Sequence, residues 1–230
     1  MRPRIRLFRG VGLATAVVLL TALAAPASAA RVTHESYSIT GVTAEATFGG
    51  RDQEPAVGTP QILFAMGADA TSVHRVPGVK PERIPQPAIL AIGLMMPGAS
   101  IGDEPYQAEL WCVADAFTFT VADDLSSAEL QIPTCVAEVV VFDPQTGEEA
   151  PNGMTVTLSA TAQWTATGPL ESQRSHSRYV VGGSWTMDAI RTSMRPATAD
   201  ITVTGLPGGT YVDTTSEATL QTLKNATLLH

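Results

Sequence analysis

Five basic side chains in the last third of this 230-residue chain, Arg174, His176, Arg178, Arg191 and Arg195, are its most concentrated chemistry. Arg174, His176 and Arg178 recur at every second residue, so on a strand they leave the backbone on one side. A guanidinium fork binds carboxylate, sulfate or phosphate oxygens in pairs. The set is a candidate contact for an anionic ligand or for an extracellular partner, a glycan or a protein. The plainer reading is that these residues balance acids of the same molecule or stand in water, where single surface ion pairs contribute little.

Catalytic patterns are weaker. Ser175 and Ser177 flank His176, but neighbours on a strand point to opposite faces and would not meet. Ser184 sits in G-G-S-W, and Thr186 occupies the place of the last glycine of a nucleophile elbow. His34, His74, His176 and His230 form no H-x-H or H-E-x-x-H metal pair. Acidic pairs such as Asp103-Glu104, Asp123-Asp124 and Glu148-Glu149 suit calcium, yet no D-x-[DN]-x-[DN]-G loop surrounds them. No catalytic residue, metal ligand or cofactor is assigned. A hydrolase whose site is assembled from distant residues is the alternative to a binding module, and a passive envelope or matrix component is a third reading.

Charge and compartment narrow the partners. Arg2, Arg4, Arg6 and Arg9 precede an apolar run from Val11 to Ala25, and Ala27-Ser28-Ala29 follows, the layout of a secretory leader over Met1–Ala30. That run is shorter than the roughly 20 residues that span a bilayer, and no later segment reaches that length, so no transmembrane anchor is expected in the mature chain. The residues from Arg31 to His230 are expected to form a single secreted domain. Without the leader the balance is 10 bases against 22 acids, because the leader removes four Arg and no acid. No Lys or Arg occurs from Ile84 to Gln173. Such acidity repels phosphates and excludes nucleic acid as a natural partner. Cys112 and Cys135 are the two cysteines, and in an oxidising compartment they are expected to form a disulfide.

The elements that must position these groups are strands. In Met154–Thr167 the residues Met154, Val156, Leu158, Ala160, Ala162, Trp164 and Ala166 alternate with a Thr, Ser and Gln face. The run is too long for an ordinary strand and is expected to bend or to change neighbours along its length. Upstream, the apolar phase flips at Gly41, the mark of a β-bulge. Gly67–Pro87 reads as loop, Ala88–Met96 as a buried strand, and Ala218–Leu229 as a closing strand in preference to a helix. Trp164 shares the apolar phase and belongs to the core; Trp111 lies opposite Cys112 and belongs outside, where it would suit sugar stacking. Eight to ten such strands and no helix predict an all-β fold, a two-sheet antiparallel β-sandwich with a barrel-like variant and one disulfide.

The segments Q-W-T-A-T-G-P-L, S-Q-R-S-H-S, R-P-A-T-A-D-I-T-V-T-G and E-A-T-L-Q-T-L-K-N-A-T, between Thr155 and Lys224, resemble a group of uncharacterised secreted actinobacterial proteins. The resemblance implies secretion, an all-β fold and a strand at the tail, and it carries no activity or ligand.

Overall fold

The computed structural model of the chain describes residues 36–49, 57–96, 106–142, 149–180 and 184–229. Contacts divide the chain between Thr33 and His34, and every element below belongs to the second unit. The leader expected over Met1–Ala30 and the Asp103-Glu104 pair lie outside the described residues. Eleven strands follow in order: β1 Ser36–Gly49, β2 Pro60–Arg75, β3 Glu82–Pro85, β4 Ala88–Met96, β5 Tyr106–Ala114, β6 Thr118–Val121, β7 Ser127–Phe142, β8 Glu149–Ala166, β9 Glu171–Val180, β10 Ser184–Leu206 and β11 Gly209–Leu229. Among the described residues there is no helix.

The strands close into a ring. β1, β2, β4, β5, β7, β8, β10 and β11 pair antiparallel in chain order, and β1 completes the circle by pairing with both β2 and β11. This is an eight-stranded up-and-down barrel, and the expected two-sheet sandwich is corrected to its barrel-like variant. The reason is that a period of two fixes which side chains turn inward, and it is the same for a sandwich leaf and a barrel wall. The choice rests on whether the first strand finds the last. The three short or outlying strands extend existing lanes: β3 continues β4 beside β2, β6 continues β5 beside β7, and β9 continues β8 beside β10.

An eight-stranded ring leaves an interior that side chains can fill. Here Phe48, Leu63, Leu90, Ile92, Leu110, Leu130, Leu158, Trp164, Ile201 and Leu220 are fully buried, interleaved with alanines such as Ala46, Ala65, Ala108 and Ala199. Trp164 is core, as its phase requires, and its Nε1 donates to the Glu45 carbonyl at 3.1 Å. β8 keeps β7 along most of its length and takes β10 as second neighbour only from Ser159 to Ala166. The segment expected to be loop from Gly67 is instead the second half of β2, running to Arg75, followed by β3. The tail is a strand.

Past the Ala166↔Ala197 pair the other lanes stop while six strands continue. β9, the first half of β10, the second half of β11, the start of β1, the end of β2 and β3 pair side by side and form an open extension of the barrel wall. Gly41 lies within this extension, opposite Ala70 on β2 and Leu223 on β11. The β1·β11 register shifts between Ile39 and Gly41, and Gly41 has φ 151°, with the Ala70 Cα and Asp69 carbonyl standing where a Cβ would be. Ile39 accordingly joins a small cluster with Ala68, Ala70 and Leu223, separate from the main core.

The disulfide Cys112–Cys135 forms as expected, with 6.0 Å between the Cα atoms. It spans a seam: the β5·β7 ladder ends at Trp111↔Glu138, and the β6·β7 ladder begins only at Thr118↔Gln131. Replacing both cysteines with Ser is expected to lower unfolding stability by roughly 3 kcal/mol in urea titrations, since a covalent loop of this length restricts the unfolded chain. A second comparison concerns the glycines. Gly41→Ala forces a Cβ into backbone, whereas Gly78→Ala, at φ 79° with open space around it, meets only the left-handed conformational cost. The first substitution is expected to cost more than twice the second, which should be about 1 kcal/mol by the same titration.

Candidate binding face

Backbone register sorts the residues of the extension into two faces, because directly paired residues share a side of the sheet. One face continues the lining of the barrel. Its first row is Arg195, Leu220, Ala44 and Gly67, and the next is Ser172, Ser193, Thr222, Val42 and Asp69. The third row is Arg174, Arg191, Lys224, with Arg174 opposite Arg191 on β9·β10 and Arg191 opposite Lys224 on β10·β11. Further out, Arg178 stands opposite Thr186, Arg75 opposite Ser36, and Arg83 opposite Val73. Acids at register positions on this face are Asp69, beside Val42, and Asp188, opposite Thr227. The face thus changes within a few residues from apolar lining to a polar surface rich in bases.

Arg174 and Lys224 are exposed and Arg195 is half-buried. Arg75 is exposed and donates from Nη1 to Ser38 Oγ at 2.8 Å. Arg195 lies toward the β6–β7 turn. The Asp124 carboxyl in that turn is held below its ordinary value chiefly by hydrogen bonds from Ser126, with a smaller electrostatic contribution from Arg195. The side chains of His176, Arg178 and Arg191 lie outside the described residues, and so does that of Trp185. Of the five bases singled out in the sequence, the register therefore pairs Arg174 with Arg191 and puts Arg195 two rows nearer the core on the strand that carries Arg191. Lys224 escaped that reading. It is 29 residues beyond Arg195 in a threonine-rich tail, and only the β10·β11 register brings it beside Arg191.

The opposite, outer face holds the one described carboxylate with a clearly raised pKa. Glu45 accepts a hydrogen bond on Oε1 from Gln221 Nε2 at 2.8 Å, and Gln221 and Thr43 are themselves buried. Burial pushes the Glu45 carboxyl up from its ordinary value, and the Gln221 bond opposes this more weakly. Trp111, by contrast, is on the surface, 38 % exposed, its Nε1 donating to Glu109 Oε2 at 3.1 Å. Among the described residues no group of three or more His, Cys, Asp or Glu side chains is placed to hold a metal ion.

Comparison of the chain with protein-family models, with curated proteins and with solved structures finds no match. Among the described residues no helix is long and apolar enough to cross a membrane.

Glu45 supplies a pH prediction. A carboxyl whose folded-state pKa is raised binds its proton more tightly when folded, so the native state loses stability as pH climbs above 4.5, the unfolded reference. Glu45→Gln keeps an acceptor for Gln221 and removes the charge. The variant is expected to melt at the same temperature as the parent below pH 4.5 and higher than the parent at pH 7, by thermal denaturation across that range.

Proposed function

We propose that this protein is an exported, non-catalytic binding module whose cationic sheet extension grips an anionic extracellular ligand, an acidic polysaccharide being the class that suits it. The observation that carries this reading is the Arg174–Arg191–Lys224 row. Like charges directly opposite one another on neighbouring strands oppose folding, so local stability gives no reason for three of them in succession. A ligand bearing carboxylates or sulfates would supply the missing counter-charge along the row, about 5 Å from one strand to the next. The acidic composition of the rest of the chain argues against nucleic acid, whose affinity depends on releasing counterions to a predominantly basic surface. The leader over Met1–Ala30 supports export.

Polygalacturonate and heparin, immobilised, are the probes. Binding of the chain in 50 mM salt to at least one of them is expected, weakening steeply as salt is raised, because exposed charges are screened within about 10 Å at 0.1 M. Arg174→Ala with Lys224→Ala should weaken it at least tenfold while the melting temperature holds or rises. Equal binding by the double variant, or none by the parent, would sink the proposal.

A further inference from the structure

A second, chemically different site lies on the outer wall of the barrel. Thr118 on β6 is opposite Gln131 on β7, Gln131 is opposite Thr161 on β8, and Thr161 is opposite Thr202 on β10. Four strands therefore contribute one uncharged, hydrogen-bonding side chain each to a single straight row, at the spacing between strands of about 4.8 Å. The row runs through a cleft of about 390 Å³, within the range that small-molecule sites occupy.

The concavity has a cause in the ladder. β7 shifts register against β8 between Ile132 and Cys135, and its pairing with β6 ends at Gln131. Pro133 follows at once, a residue with no N–H to offer a neighbour. The wall steps there, with Pro133 exposed beside the cleft and the side chains of Ile132 and Ala160 turned into the core. Ser159 and Thr204 share a hydrogen bond of 2.6 Å at one side. Gln131 Nε2 donates to Glu129 Oε1 at 3.0 Å, which fixes the amide and leaves its carbonyl oxygen to accept from a ligand. No residue of the cleft lining is ionisable.

We infer that this cleft binds an uncharged sugar, with the hydroxyls of Thr118, Thr161 and Thr202 and the Gln131 carbonyl meeting ring hydroxyls while the exposed ring of Pro133 receives the C–H face. A pyranose has this division, polar at its rim and apolar across its ring, and a chain of them repeats at a length close to the strand spacing. The competing account is that threonines on an outer wall are only good strand formers; it explains the residue type but not the place of the row, at the edge of the register shift in β7 and of the β6 ladder.

The test is backbone amide NMR of the full chain titrated with cellotriose, maltotriose and the N-acetylated chitin trimer. Saturable shifts confined to β6, β7, β8 and β10 around the cleft are expected with at least one of them. Thr161→Val with Thr202→Val keeps shape and strand preference while removing two hydroxyls, and should weaken that sugar at least tenfold at an unchanged melting temperature. Arg174→Ala with Lys224→Ala should leave it unaltered, which separates this cleft from the cationic face. Absence of saturable shifts with all three sugars, or equal affinity in the valine variant, overturns the inference.

Discussion

Closure of the ring through β1 is the constraint on which the remaining structure rests. β1 is hydrogen-bonded on both sides, to β2 through 14 consecutive residue pairs and to β11 from Ser36 to Ala46. Had either pairing failed, two long strands of unpaired amides would face water, an invitation to pair with another chain. Closure also decides the interior. Once the wall meets itself, the diameter is set by strand number, and the core must be filled by residues that fit that diameter. Trp164 and Phe48 among many alanines meet that requirement, a few large side chains surrounded by small ones.

Among the described residues the lining is occupied by packed side chains, so both proposed contacts lie outside it. What the geometry offers instead are places where the wall departs from a plain cylinder. One is the extension, where six strands run past the rim and the lining face, no longer covered, turns from leucine and alanine to arginine, lysine and threonine. Another is the seam beside β7, where the ladder to β5 stops before the ladder to β6 begins. The disulfide Cys112–Cys135 ties the two sides of that seam. The interruption there is held by a covalent bond that hydrogen bonds in the missing pairs would otherwise supply.

How much of this was legible beforehand depends on the range over which each signal acts. The period of two across Leu158, Ala160, Ala162 and Trp164 names their buried face, because alternation is local. The bulge at Gly41 is legible for the same reason: a flip of phase and a glycine coincide. The cysteine pair follows from an even count and from the oxidising compartment that export would imply. The sandwich was the wrong closure because pairing of β1 with β11 joins residues nearly 200 positions apart, and nothing in either strand announces the other. The same limit hid Lys224. Its neighbour Arg191 is 33 positions away, and the register that joins them is counted through the hairpin at Pro207-Gly208 and the bulge between Ala197 and Ala199.

The two faces of β10 show why the candidate sites differ in chemistry. Its first half places Ser193 and Arg195, both half-buried, on the lining side past the main core, and a position with no core to fill is polar. Its second half returns Ala197, Ala199, Ile201 and Val203 to the core and so pushes Thr198, Asp200, Thr202 and Thr204 outward. The bases lie on the face the barrel has stopped covering, and Thr198, Thr202 and Thr204 on the outer face beside Asp200. Like charges in facing register gain from an added anion, because their repulsion is already present before it arrives. Uncharged hydroxyls carry no such strain, so a ligand for them must match shape and hydrogen-bond spacing. On the two proposals, a single strand would then supply an electrostatic contact that salt weakens and a steric one that salt leaves alone.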